Sequence, residues 1–257
     1  MPGIFKKLRR RLRRQPFPVG WTRIIEKHVP YYQRLTSGEQ DGLQRLIQIF
    51  LAEKRFEGCG GLKITDEIRV TIAAHACVLL LHRGGDCYAN LKSIVVYPRP
   101  FRVRTEIPGP GGTITEVDES RTGESWAGGT VILSWSEVRR RRARPPSRQN
   151  LVLHEFAHQL DQEDGVMDGA PPLADAAGYT SWARILGMEY DQLRNERLRD
   201  KEGVIDEYGA TDPAEFFAVI TEHFFENPAE LKTHHPGLYE ELKKFYRQDP
   251  ASRRDGN

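Results

Sequence analysis

A chain of 257 residues has room for a sizeable core, and its 38 basic against 36 acidic side chains, a formal charge of +2, give no general attraction to nucleic acid. With 39% hydrophobic and 29% charged residues it reads as an ordinary soluble globular protein, which excludes a disordered or fibrous class. Its three cysteines, Cys59, Cys77 and Cys87, have no CxxC spacing, which argues against a disulfide framework or a thiolate metal site and points to a reducing cytosol.

In chain order, residues 1–20 form a basic segment in which Phe5, Leu8 and Leu12 share one helical stripe among seven cations between Lys6 and Arg14. That pattern suits a solvated tail, or a short basic amphipathic helix able to touch anionic lipid, RNA or an acidic partner. Interspersed charges deny it a signal-peptide core, and apolar runs such as Val78 to Leu81 fall far short of the roughly 20 residues that span a bilayer, so a cytoplasmic location is expected. Apolar spacing predicts helices from about Glu39 to Lys54 and from about Asp66 to Leu81, the second with Asp66 able to cap it. β-Branched and aromatic residues predict strands at Ser93 to Pro98 and Gly129 to Trp135, flanking a Gly/Pro-rich turn at Ile107 to Gly112. The second strand reads either as an edge that pairs with an extended peptide or as an ordinary core strand. A basic run, Arg139 to Arg142 with Arg144 and Arg148, is broken by Pro145-Pro146 and reads as a solvated loop. From Gln149 to Phe245 helical patterns dominate, interrupted at Pro171-Pro172 and at Tyr208 to Pro213. The expected class is α+β, with a single domain over residues 21–250 and a C-terminal tail at 251–257.

The most informative segment is Asn150-Leu151-Val152-Leu153-His154-Glu155-Phe156-Ala157-His158-Gln159-Leu160-Asp161. Histidines four positions apart project from one helix face, so the imidazoles of His154 and His158 can converge on one ion. Glu155 is then placed to serve as general base toward a water without itself taking a ligand position, the HExxH arrangement. The flank of Leu151, Val152, Leu153, Phe156, Ala157 and Leu160 predicts a buried helix, in which polar side chains need partners. A catalytic zinc site takes a third protein ligand, and no histidine follows at metzincin spacing. Candidates lie in Asp212-Pro213-Ala214-Glu215-Phe216-Phe217-Ala218-Val219-Ile220-Thr221-Glu222, which opens with a cap and a first-turn proline. Glu215 and Glu222 are seven apart and share a face, so one can bind the metal while the other holds a histidine; spacing does not rank them. His223 is expected off the metal-facing side, and His234-His235 in a turn before Pro236.

HEFAHQLD, the stretch Ala170-Pro171-Pro172-Leu173-Ala174-Asp175, and Tyr208-Gly209-Ala210-Thr211-Asp212-Pro213-Ala214-Glu215-Phe216-Phe217-Ala218 together resemble the bacterial Mlc titration factor A family, from about Ile4 to the C-terminal region. The resemblance implies a zincin-like fold, with a small mixed sheet packed on helices and an active-site helix carrying HExxH, related in its catalytic half to anthrax lethal factor. It implies a cytosolic zinc peptidase of gluzincin type with aminopeptidase activity, holding one Zn2+ through His154, His158 and Glu215. It further assigns Tyr208 as a hydroxyl donor near the metal, where a phenol can stabilise an oxyanion. A peptide is the implied substrate and an Mlc-like transcriptional repressor the implied partner, so a regulatory protein that sequesters the repressor is the alternative reading. No recognised motif predicts specific nucleic-acid binding.

Overall fold

The computed structural model describes residues 9, 11–12, 15–84, 86–108, 114–126, 128–140, 149–199 and 203–253, with the side chains of 102–108, 114–121 and 125–126 excepted. Most of the basic N-terminal segment, the Gly/Pro turn from residue 109, and the basic run beyond Arg140 lie outside the described residues.

Helix α1 (Val19–His28) leads through a 3-10 turn at Pro30–Arg34 into α2 (Ser37–Glu53). The predicted helix there begins earlier than its apolar spacing suggests, because Thr36 and Glu39 form a reciprocal capping box. Strand β1 (Arg55–Gly58) and helix α3 (Asp66–Val78) follow. The cap of α3 is Thr65 rather than Asp66, whose carboxylate is held by the Trp21 indole N–H at 2.9 Å. Strands β2 (Ser93–Tyr97), β3 (Phe101–Pro108), β4 (Ile114–Arg121), β5 (Gly123–Trp126) and β6 (Thr130–Ser134) come next. After the short α4 (Trp135–Arg140) the chain is helical: α5 (Leu151–Asp161), α6 (Ala176–Leu198), α7 (Pro213–Glu226), α8 (Pro228–His234) and α9 (Pro236–Tyr246). The fold is therefore a mixed α+β arrangement, mostly helical, and among the described residues no helix is long and apolar enough to cross a membrane.

The main sheet runs β1-β2-β6-β5; β1, β2 and β6 are parallel, while β5 returns antiparallel to β6 with Gly123 opposite Leu133 and Trp126 opposite Thr130. Strands β3 and β4 form a separate antiparallel ribbon. The strand predicted at Gly129 to Trp135 is thus interior and cannot serve as a peptide-binding edge, because both its sides are hydrogen-bonded, to β2 and to β5. The terminal strand beside it is β5.

Helix α5 is seated in the core through Phe156, whose ring meets Tyr88 at 4.9 Å and Phe50 at 5.7 Å between centroids. Such T-shaped and tilted contacts add to the burial of large aromatic surface. At its start, Asn150 caps α5 by accepting from Leu153 N, donates its side-chain amide to Glu226, and contacts His75 of α3. One asparagine side chain therefore joins α3, α5 and α7.

Far from this core contact, Arg253 holds Glu39 through two bonds of 2.7 and 2.6 Å, with His82 at 2.9 Å. The Arg253 guanidinium outweighs burial and, with His82 and Thr36, keeps the Glu39 carboxyl well below the usual carboxylate range. A depressed carboxyl contributes stability that is present above its unfolded pKa, roughly 4.3, and is lost as pH falls through its native value. Glu39→Gln is accordingly expected to reduce stability at pH 7 by about 1 kcal/mol for so partly exposed a network, seen as a lower thermal midpoint, and to matter less at pH 3. Thermal melts of both proteins at the two pH values check this; an equal loss at both would contradict it.

Candidate metal centre

Asn150 starts α5 so that His154 and His158 fall one turn apart on its inner face, and Asp212 with Pro213 starts α7 so that Glu215 stands in its first turn. The Asp212 carboxylate accepts from Glu215 N at 2.9 Å, fixing the backbone that carries the third side chain. Ligand-type atoms of His154, His158 and Glu215 all lie within 4.8 Å of one another. The two Nε2 atoms are 3.3 Å apart, and Glu215 Oε2 is 3.0 Å from that of His154 and 3.6 Å from that of His158. Glu215 Oε2 is buried without a well-aligned hydrogen bond despite that proximity, so the three groups face a common point more than they face each other. Two imidazole nitrogens and a carboxylate oxygen around one point fit a divalent cation such as zinc.

The structure separates the two glutamates that spacing leaves equivalent. Glu215 meets the Nε2 side of His154, whereas Glu222 Oε1 binds its Nδ1 at 2.8 Å and Glu222 Oε2 accepts from Asn150 N. Glu222 is therefore a brace between the histidine ring and the helix start.

Burial would lower the basicity of His154, but Glu215 and Glu222 outweigh it and hold the imidazole well above its ordinary range. The same contacts act in reverse on Glu215: burial raises it, and His154 and His158 pull it well below the carboxylate range. Burial pushes the Glu155 carboxyl up to about 8, opposed by His154 and reinforced by Glu215, Glu222 and Glu124. Tyr208 stands at the open side of the group, 52% exposed, with its ring 6.0 Å from that of His154. Burial and the nearby Glu215 carboxylate raise its phenol to about 12, keeping it a hydroxyl donor at neutral pH.

Other sequence candidates are located elsewhere. His223 is buried and meets Glu230 at 3.3 Å, and His235 meets Glu189 at 2.7 Å. A residue the sequence did not single out is Gly123 on β5: a Cβ there would lie 2.2 Å from Glu155 Oε1 and 2.7 Å from Leu151 Cδ1. Its isolated glycine amid a short polar strand was the available signal. Because the closest obstruction is the far end of a side chain, Gly123→Ala is expected to fold with a melting temperature within a few degrees of the parent, while displacing Glu155. Thermal melts check the first part and a crystal structure of the variant the second; an unmoved Glu155 carboxylate would contradict the contact.

Compared with known proteins, the chain matches the model of the glucose-regulated metallo-peptidase M90 family over residues 4–247. It is 42% identical over 243 residues, 94% of this chain and 88% of the relative, to an uncharacterized protein of Synechocystis sp.. It is 32% identical over 231 residues to Mlc titration factor A of Klebsiella pneumoniae, covering 89% of this chain and 86% of the relative. Mlc titration factor A of Salmonella arizonae is 33% identical over 230 residues, 88% of this chain and 90% of the relative. With nearly its whole length matched, from ahead of α1 to the end of α9, the chain belongs to the glucose-regulated metallo-peptidase M90 family.

Proposed function

We propose that the protein is a zinc-dependent peptidase of zincin-like, gluzincin type, acting on peptides with a free amino terminus. The observation that carries this reading is the convergence of His154, His158 and Glu215 on one point, with the buried Glu155 carboxyl on the same helix. In the proposal these three residues hold the metal, Glu155 is the general base and Tyr208 the hydroxyl donor. A zinc ion held there supplies a Lewis acid that polarises a carbonyl and acidifies water. Glu155 takes the proton from the attacking water and delivers it to the leaving amine, cleaving the C–N bond. Tyr208 donates its hydroxyl to the developing oxyanion. Glu222 keeps the His154 ring oriented, as a second partner of a metal-binding histidine does. Strand β5, at the end of the sheet and in contact with Glu155 through Gly123, is suited to pair with an extended substrate backbone.

Hydrolysis of a panel of amino-acid anilides and internally quenched peptides by zinc-loaded protein tests the proposal. Release from anilides with a free amino group, and not from N-blocked ones, is expected; cleavage of blocked peptides alone would make the enzyme an endopeptidase, and no cleavage would defeat the peptidase reading.

A second reading is favoured by the names of the relatives: Mlc titration factor A points to a partner role, the capture of an Mlc-like repressor. In that reading, stoichiometric binding of such a repressor is insensitive to Glu155→Gln. The two roles are compatible in one protein.

A further inference from the structure

The metal centre leaves the basic run of the sequence unused, and the first two residues of that run, Arg139 and Arg140, close helix α4. There they meet the end of α1 and the start of α3 across a cleft of about 400 Å³, lined by Lys27, His28, Glu67, Ser136, Arg139 and Arg140. None of these side chains belongs to the metal centre. Lys27 Nζ and His28 Nε2 both meet Glu67 Oε1, at 2.9 and 2.7 Å. Lys27, and after it His28, holds the Glu67 carboxyl below its ordinary range, so it is ionised at neutral pH. Arg140 pairs with Glu137 at 2.8 Å. The Arg139 guanidinium lies 5.8 Å from the centre of the Trp135 ring, with no carboxylate paired to it among the described residues. Three permanent cations therefore face one carboxylate on the cleft wall, before any charge on His28 is counted.

We propose that this cleft binds a small phosphate-bearing anion, inorganic phosphate or a phosphate monoester, held by the guanidiniums of Arg139 and Arg140 and the ammonium of Lys27. A concave surface with an excess of one sign of charge concentrates counter-ions, and guanidinium forks match the oxygens of a phosphate. The volume falls within the roughly 300–1,000 Å³ that small-molecule sites occupy, which favours a compact ligand over a polymer. The formal charge of the chain, +2, points the same way, since it gives a long polyanion little general attraction. Ser136 adds a neutral donor: its Oγ, 3.0 Å from the buried Ser134 Oγ, can accept from that hydroxyl and donate its own proton into the cleft. Glu67 works against the ligand, because an incoming anion competes with it for Lys27 and His28.

Backbone NMR of the full chain, titrated with inorganic phosphate at an ionic strength held constant with chloride, tests the proposal. Shifts that saturate at one equivalent and centre on the cleft residues are expected. Replacing both arginines, Arg139→Gln with Arg140→Gln, is expected to raise the phosphate dissociation constant about tenfold or more, as loss of charge-assisted hydrogen bonds does. Glu67→Gln is expected to lower it. Both arginines are exposed and the Glu67 side chain is 42% exposed, so the variants should melt with the parent. Titration with glycerol phosphate identifies the source: tighter binding than inorganic phosphate assigns the cleft to a monoester, and equal binding assigns it to the free ion. Shifts that do not saturate, that centre on the metal ligands or the basic N-terminal segment, or that persist with parental affinity in the double variant would overturn the proposal.

Discussion

Glu155→Gln is expected to reduce peptide hydrolysis by about 10²–10⁴-fold, the range for loss of a positioned general acid–base, while leaving bound zinc at the parental stoichiometry. The amide is nearly isosteric with the carboxyl, so the side chain keeps its place between α5 and β5, where Gly123 leaves room for it. What disappears is the capacity to accept a proton from water and return it to the amine. Replacement should also suit the fold: burial already pushes this carboxyl toward its neutral form, and a neutral amide removes one of several carboxyl groups crowded near Glu215, Glu222 and Glu124. Parallel measurement of kcat/KM, metal content and thermal midpoint checks all three parts. Retained turnover would remove Glu155 from the mechanism, and lost zinc would instead make it a ligand.

The second large effect concerns the two glutamates of α7. Glu215→Ala is expected to weaken zinc binding by more than the ~10–100-fold typical of a lost outer partner, whereas Glu222→Ala is expected to fall within that range. The distinction follows from which face of His154 each side chain meets: Glu215 lies on the Nε2 side with His158, and Glu222 on the Nδ1 side. The helix start should survive Glu215→Ala, because Asp212 caps α7 through the Glu215 backbone N–H rather than its side chain. Glu222→Ala removes an acceptor for Asn150 N and for His154 and should cost more stability. Zinc titrations of the two variants, with thermal melts alongside, check the order; the reverse order of affinities would exchange their roles.

These roles differ in how far they were legible in the sequence. The arrangement on α5 is local: four residues on a helix fix where two imidazoles point, so His154, Glu155 and His158 can be read directly. The same holds for the start of α7, where Asp212 and Pro213 announce the first turn and the structure places the cap there. Choosing between Glu215 and Glu222 was beyond spacing, since both share a face, and the choice depends on where α5 crosses α7. Neighbouring strands were hidden for a related reason. Gly123-Glu124-Ser125-Trp126 has no apolar alternation and is a strand because it pairs with β6; Arg55 to Gly58 likewise exists as β1 through its pairing with β2. Hence the strand at Thr130–Ser134 was legible as a strand but not as an interior one. Asp66 shows that two adjacent cap-competent residues cannot be ranked from sequence when a distant Trp21 claims one of them. The role of Asn150 as cap of α5 was not read from the sequence, and its ties to His75 and Glu226 depend on three helices meeting.

In the proposed function one metal ion is held by His154, His158 and Glu215. Diffraction from zinc-loaded crystals, recorded on both sides of the zinc absorption edge, tests it most directly. A single anomalous peak is predicted, about 2.0–2.2 Å from a ring nitrogen of each histidine and from a Glu215 oxygen, with one zinc per chain by elemental analysis. No peak between these side chains, or zinc bound elsewhere while His154 and His158 remain paired with Glu215 as an ion-pair cluster, would contradict it.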